Sequence, residues 1–255
     1  MITWLAARID GAQNWSQIWP QIWPQTVHEN LKRLASQLAL PCLLMLILAM
    51  AVELTPMDRW ISDLFFDSAR QTFPLNQHFL LKQVLHDWGR NVAYLTALVT
   101  LLAWVCSWIF KYPRVRAPLQ FIFLSMLVST ANIALMKYTS DIHCPNNLLE
   151  YGGSFLTIEI FDFGDPHQAA GRCWPSGHAS TGFCLLALFY AARSYAPQWA
   201  RTSLWLALLL GFSFSLAQTA RGVHFFSHGL WTALFVWSIN IVLAFFLLPA
   251  QQAKL

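Results

Sequence analysis

Residues 229–248, GLWTALFVWSINIVLAFFLL, contain no charged side chain. This run has the roughly 20 residues that an α-helix needs to cross the ~30 Å hydrocarbon layer of a bilayer. Its apolar residues do not alternate with polar ones, so a membrane β-barrel is not expected. Five further runs lie upstream, at about residues 36–54, 91–110, 118–136, 177–195 and 202–220. The sequence therefore predicts an all-α polytopic membrane protein with six transmembrane helices.

The composition agrees with this class, because 56% of the 255 residues are hydrophobic and only 11% are charged. Basic residues are divided among several loops and balanced by acidic ones, so nucleic acid is not an expected partner. In residues 1–35 the tetrapeptide Gln-Ile-Trp-Pro occurs twice, and tryptophan favours the headgroup zone. We predict an interfacial segment there without a cleavable signal peptide, followed by a six-span domain over residues 36–255.

The distribution of Lys and Arg predicts the orientation of the spans. With both termini inside, nine of these residues lie on the cytoplasmic side and seven outside. The loops after the third and fifth spans then share the outer face. Lys137 at the end of span three, residues 176–178 at the start of span four and residues 221–228 are therefore expected at one depth on that face.

These three span ends carry the groups that a phosphate site needs. Amides at a helix start favour an anion, the Ser176 hydroxyl adds a donor, and Gly177 permits close backbone approach. Each feature alone has a simpler explanation, such as a helix start or a snorkelling lysine. Together they predict a phosphate site in which two histidines serve as nucleophile and general acid. The histidines are His178 and His224, and the predicted cations are Lys137, Arg172 and Arg221.

Pro175-Ser176-Gly177-His178, preceded by Lys137 and followed by Gly222-Val223-His224, resembles the type 2 phosphatidic acid phosphatase superfamily in its six-helix membrane branch. The resemblance covers about residues 55–248. It implies that His224 forms a phosphohistidine, that His178 is the general acid, and that Lys137, Ser176 and Gly177 bind the phosphate. It also implies a hydrolase that needs no metal or other cofactor and acts on lipid phosphates or diphosphates.

The sequence departs from the family pattern at both phosphate-binding arginines. Cys144-Pro145 stands where the family has Arg-Pro, and Ala217-Gln218 stands where it has Ser-Arg. Arg172 and Arg221 are the predicted replacements. A Gram-negative subgroup with a Cys-Pro element is similar in these features, which implies a bacterial inner membrane and an active site facing the periplasm.

The orienting carboxylate that the family places four residues after the nucleophile is also missing, because His228 occupies that position. Such an acid would fix the imidazole tautomer. The alternatives in this sequence are Asp141, Asp162, Asp165 and His228 itself as a neutral partner.

Two of the five cysteines, Cys144 and Cys173, lie in one outer loop, whereas Cys42, Cys106 and Cys184 lie inside spans. If the loop faces an oxidising compartment, a disulfide between Cys144 and Cys173 is expected. It would hold Arg172 and the Ser176 turn against the end of span three. For residues 55–90 we predict a surface-lying amphipathic helix whose Trp60, Phe65 and Phe66 dip into the membrane, without a catalytic role.

Three functions fit these residues: a phosphatase acting on a membrane lipid, a phosphotransferase using the same phosphohistidine, and a catalytically silent protein that binds lipid phosphates. A metal enzyme built on His224 and His228, with His178 or His143, is disfavoured because the nearby cations would repel a divalent ion. The sequence leaves open both the oligomeric state and the lipid. Phosphatidic acid, phosphatidylglycerophosphate, undecaprenyl diphosphate and lipid A satisfy the same headgroup chemistry.

Overall fold

The computed structural model describes residues 40–158, 160 and 169–248, and this part of the chain is built of helices without a β-sheet. Residues 1–35, Asp162 and Asp165 lie outside the described residues. A π-helical segment, Leu80–Trp88, runs directly into the third α-helix. The α-helices are α1 (Leu40–Glu53), α2 (Met57–Asp63), α3 (Gly89–Ile109), α4 (Pro113–Tyr138), α5 (Gly177–Phe183), α6 (Leu186–Tyr195), α7 (Pro197–Ala220) and α8 (Phe226–Leu247).

Among the described residues, four helices are long and apolar enough to cross a bilayer. They are Leu80–Ile109, α4, α7 and α8. The pair α1 and α2, bent by 69°, would add a fifth if it forms one span. These helices indicate a multi-pass membrane protein, and many apolar side chains of α3, including Leu95 and Leu102, are exposed as lipid contact requires.

The predicted fourth span, 177–195, is divided between α5 and α6 at Cys184-Leu185, and neither helix alone is long enough to cross a bilayer. Hydroxyl groups within α5 bond to carbonyls three residues back, from Ser180 to Gly177 and from Thr181 to His178. Such bonds compete with the regular helical pattern. Every residue of α5 after Gly177 is buried, so this helix lies inside the bundle.

Residues 64–79 contact the end of the bundle through their aromatic side chains. Phe65 and Phe66 pack against a buried aromatic cluster that includes Phe73, Tyr151 and Phe225. Phe65 and Phe66 thus have partners within the protein, and their insertion into the membrane stays a prediction. Trp60 is 65% exposed.

The loop after α4 is tied to the segment before α5 by a disulfide between Cys144 and Cys173, which confirms the predicted pairing. Backbone bonds run alongside it, from Arg172 N–H to Ser140 O (2.9 Å) and from Cys173 N–H to Ile142 O (2.9 Å). The disulfide and these bonds fix Cys173 against the end of α4. Cys42, Cys106 and Cys184 are free thiols.

Replacing both Cys144 and Cys173 by Ser should lower the free energy of unfolding by about 3 to 4 kcal/mol, because the cross-link restricts the unfolded chain. Denaturant unfolding in detergent measures this loss. Cys106→Ser, at an exposed free thiol, is the matched control and should keep wild-type stability. Alkylation of both Cys144 and Cys173 without prior reduction, seen by peptide mass spectrometry, would contradict the disulfide.

Candidate active site

One cavity of about 430 Å³ lies where three helix ends meet. The last turn of α4 contributes Lys137, the start of α5 contributes Gly177 and His178, and the connection between α7 and α8 contributes Arg221 and His224. The structure thus brings together five residues that the sequence singled out for the site.

His224 lies in the connection between α7 and α8 and is 5% exposed. Burial, followed by the charge of Lys137 and the nearby His228 and His178, holds the pKa of His224 well below its ordinary value. The imidazole is therefore neutral at pH 7, and a neutral ring has a nitrogen lone pair that can attack phosphorus.

The backbone carbonyl of Cys173 lies beside both buried imidazoles. Its oxygen is 3.1 Å from Nδ1 of His228, and it also serves as the backbone hydrogen-bond acceptor of His224. The two Nδ1 atoms are 3.3 Å apart. A carbonyl oxygen only accepts, so the 3.1 Å contact favours hydrogen on Nδ1 of His228.

No carboxylate belongs to the cavity lining in the part of the chain that the structure describes. Asp141 is exposed and lines a different cavity, so the structure does not bring it to His224. His228, the other alternative at described positions, does contact the nucleophile candidate. Asp58 of α2 is a buried carboxylate that the sequence analysis did not single out. Its Oδ1 accepts from the N–H of Ser227, in the first turn of α8, at 2.9 Å.

Arg221 is fixed by partners on two sides. Its Nε donates to the carbonyl of Asn76 (2.9 Å) and its Nη1 donates to Oε1 of Gln218 (3.2 Å). The Asn76 amide donates back to the Arg221 carbonyl (3.1 Å). Burial lowers the pKa of Arg221 and the charge of Asp87 opposes this effect, but a guanidinium stays protonated at neutral pH.

The side chain of Lys137 makes no hydrogen bond or ion pair with any residue that the structure describes. Its side chain lies against Gly177, where an added Cβ would be 3.7 Å from the lysine Cδ. The ammonium group can therefore contact an anion in the cavity without first leaving another partner.

His178 and Ser176 differ in their positions. Nε2 of His178 is 3.0 Å from the carbonyl of Leu85 and donates to it, since a carbonyl only accepts. Ser176 is fully buried and does not line the cavity: its hydroxyl caps α5 by accepting from the Ala179 N–H (3.4 Å). Its hydroxyl therefore positions the start of α5, including Gly177.

Arg172 is not brought to the cavity. Its guanidinium lies 4.5 Å from the ring centroid of Tyr138, and its backbone is left-handed with φ of 53°. Arg90, at the start of α3, lines the cavity instead. The sequence reading missed Arg90 because it assigned residues 55–90 to the membrane surface.

Three side chains carry donor atoms within 4.8 Å of one another, as a metal site would require: Cys173, His224 and His228. However, Cys173 is in the disulfide, and a disulfide sulfur is not the thiolate that binds zinc. The set therefore does not provide three metal ligands in the structure described.

The sequence model of the PAP2 superfamily matches residues 118–252, which is more than half of the chain. The match contains all five predicted residues that line the cavity, whereas Asn76, Leu85 and Arg90 precede it. Neither a curated protein nor a solved structure matches. Membership of this superfamily implies phosphatase- or phosphotransferase-type activity on phosphate esters. From its motifs and this match, the chain belongs to the PAP2 superfamily, that of the type 2 phosphatidic acid phosphatases.

Proposed function

We propose that this protein is a membrane lipid phosphatase that hydrolyses a phosphomonoester or diphosphate through a phosphohistidine on His224, without a metal ion. The observation that carries the proposal is a buried, neutral His224 in one cavity with His178 and two cations, Lys137 and Arg221. A neutral imidazole beside fixed positive charge can attack a phosphate that the charge has already bound.

The reaction has two steps. Nε2 of His224 forms a bond to phosphorus while the bond from phosphorus to the leaving oxygen breaks, and His178 gives that oxygen a proton. Water then attacks phosphorus, its proton passes to His178, and the bond between nitrogen and phosphorus breaks to release inorganic phosphate. The Leu85 carbonyl supports the acid role, because it accepts from Nε2 of His178 and favours the charged ring.

We assign phosphate binding to Lys137, Arg221 and the backbone at Gly177, with Arg90 as a further cation. Ser176 acts indirectly by capping α5, and Arg172 is left outside the phosphate-binding set because it lies over Tyr138. The Cys173 carbonyl takes the orienting part that the family gives to a carboxylate, since it accepts from His224 and leaves Nε2 to attack.

A lipid substrate is supported by the walls of the cavity. Tyr94 of α3 and Thr130 and Ala134 of α4 line it next to Lys137. Tyr94 is 62% exposed on an apolar helix, so the cavity borders the surface that lipid would cover. A phosphate headgroup could bind at the span ends while its apolar chains stay between α3 and α4.

We further propose six spans, with α5 and α6 forming one of them, in a bacterial inner membrane. Both termini lie inside and the site faces the periplasm. The opposite end of the bundle supports this orientation, because the turns there and the helix ends beside them carry Lys111, Arg114, Arg116, Arg193 and Arg201.

In detergent with a chelator present, the wild-type protein should release phosphate from at least one lipid of a panel of phosphatidic acid, phosphatidylglycerophosphate, undecaprenyl diphosphate and lipid A. His224→Ala should reduce phosphate release to the level seen without protein, because no phosphohistidine can form. His178→Ala should lower kcat by roughly 10² to 10⁴, the usual contribution of a general acid. His78→Ala, at an exposed histidine outside the cavity, is the control and should keep wild-type activity.

Transfer is separated from hydrolysis by a ³²P-labelled donor lipid: label in a second lipid, instead of in inorganic phosphate, would establish a phosphotransferase. Binding of these lipids without turnover would instead identify a catalytically silent protein that binds lipid phosphates. Activity that the chelator abolishes would contradict a metal-independent site.

The acid limb of the kcat/KM profile should lie well below pH 6.5, because the depressed pKa keeps His224 neutral until the pH falls to that lower value. Protonation inactivates the nucleophile, so activity is retained above the limb and lost below it. Lys137→Met should lower kcat/KM and move the limb upward, since one of the charges that depress the pKa is removed. A wild-type limb at or above pH 6.5 would contradict the assignment of His224.

A further inference from the structure

Gln218 lies in the last turn of α7, three residues before Arg221, and its side chain is held in one orientation. Its amide accepts from Nη1 of Arg221 at 3.2 Å. A guanidinium only donates, so the atom facing Arg221 must be Oε1 and the NH₂ group must point away from it. Chemistry alone therefore fixes the direction of Nε2.

The Nε2 atom of Gln218 is buried and has no acceptor among the residues that the structure describes. The residue is only 2% exposed. Native proteins leave few buried donors unpaired, and each such donor calls for an explanation. Here the neighbouring space supplies one, because Gln218 lines the cavity with Lys137, Arg221 and His224.

An anion in this cavity would provide the missing acceptor. The described lining residues of the cavity include cations, hydroxyls and imidazoles, and no carboxylate that could pair with the amide. Gln218 also stands where the resembling family has an arginine. An amide at this position donates a hydrogen bond without adding a further positive charge next to Arg221 and Lys137.

We infer that Gln218 binds the substrate phosphate directly, with Nε2 donating to a non-bridging oxygen while Arg221 holds Oε1. The inference rests on the proposed phosphatase function and adds a residue to that site. Gln218 and Arg221 then act as a pair, one giving a neutral donor and the other a charged one. Asn76 completes the arrangement by fixing the far side of the guanidinium.

The test is inorganic phosphate binding to the full chain in detergent, measured as the rise in the thermal unfolding midpoint with phosphate concentration. Gln218→Met keeps the approximate size of the side chain and removes the donor. It should weaken phosphate binding and kcat/KM by about tenfold to a hundredfold, as expected for a lost hydrogen bond to a charged group. The change also removes the Oε1 acceptor of Arg221, so the midpoint without phosphate measures the structural cost of that lost bond separately from phosphate binding.

Asn240→Leu is the matched control, since this buried amide of α8 lies outside the cavity and also has an unpaired polar atom. It should leave phosphate binding unchanged, whatever its effect on stability. Gln218→Glu is a second variant of nearly the same shape. It should lose more affinity than Gln218→Met, because a carboxylate repels the phosphate.

The inference would be overturned if Gln218→Met kept wild-type phosphate affinity and kcat/KM, and Gln218→Glu replaces this variant if it does not fold. The proposed phosphatase function would be unaffected by that result. Failure of the proposed function looks different: the wild-type protein itself would neither bind phosphate nor release it from lipid, and the inference would fall with it. A lower midpoint in Gln218→Met with an unchanged phosphate response would assign Gln218 a structural role only.

Discussion

Positive charge is gathered at the meeting point of three helix ends, and the described lining of that cavity contains no carboxylate. Asp87, which pairs with Arg90 at 3.9 Å, lies outside the lining. Lys137 and Arg221 are held there by the fold, with Arg90 at the margin. Like charges in a poorly hydrated space raise the free energy of one another, and the cost falls when an anion binds. Burial, and after it the charge of Lys137, holds the pKa of His224 low and keeps the ring unprotonated, so the proposed phosphate site and the proposed nucleophile share one charge.

This constraint also explains why neutral groups occupy positions where charged ones are expected. A carboxylate beside His224 would compete with the substrate for Lys137, whereas the Cys173 carbonyl can accept from the ring without a net charge. A backbone carbonyl orients a side chain only if the backbone is fixed. The disulfide to Cys144 and the bond from Cys173 N–H to the Ile142 carbonyl provide that rigidity, so the loop cross-link supports the proposed catalytic geometry.

The sequence correctly predicted which residues at the span ends meet in one cavity, because the apolar runs bring these helix ends to one level. They are Lys137, Gly177, His178, Arg221 and His224. The sequence did not predict the direction in which individual side chains point. Ser176 turned inward to cap α5, and Arg172 turned outward over Tyr138, since local backbone geometry decides both. It also missed the division of 177–195, because hydropathy does not register the change at Leu185, Ala187 and Leu188 to backbone bonds with the residue three positions earlier.

No local sequence pattern predicts that residues 73–90 contact the candidate active site, because these contacts join residues far apart in the chain. Phe73 packs where a side chain at Gly222 would lie, and Gly222 has a φ of 70° that glycine adopts without strain. Asn76 holds Arg221 through its backbone carbonyl, and Leu85 holds His178 in the same way. Backbone acceptors carry no side-chain signature, so many sequences could supply them. The segment therefore fixes the arginine proposed to bind phosphate and the proposed acid together, and a displacement of residues 73–90 would disturb both groups at once.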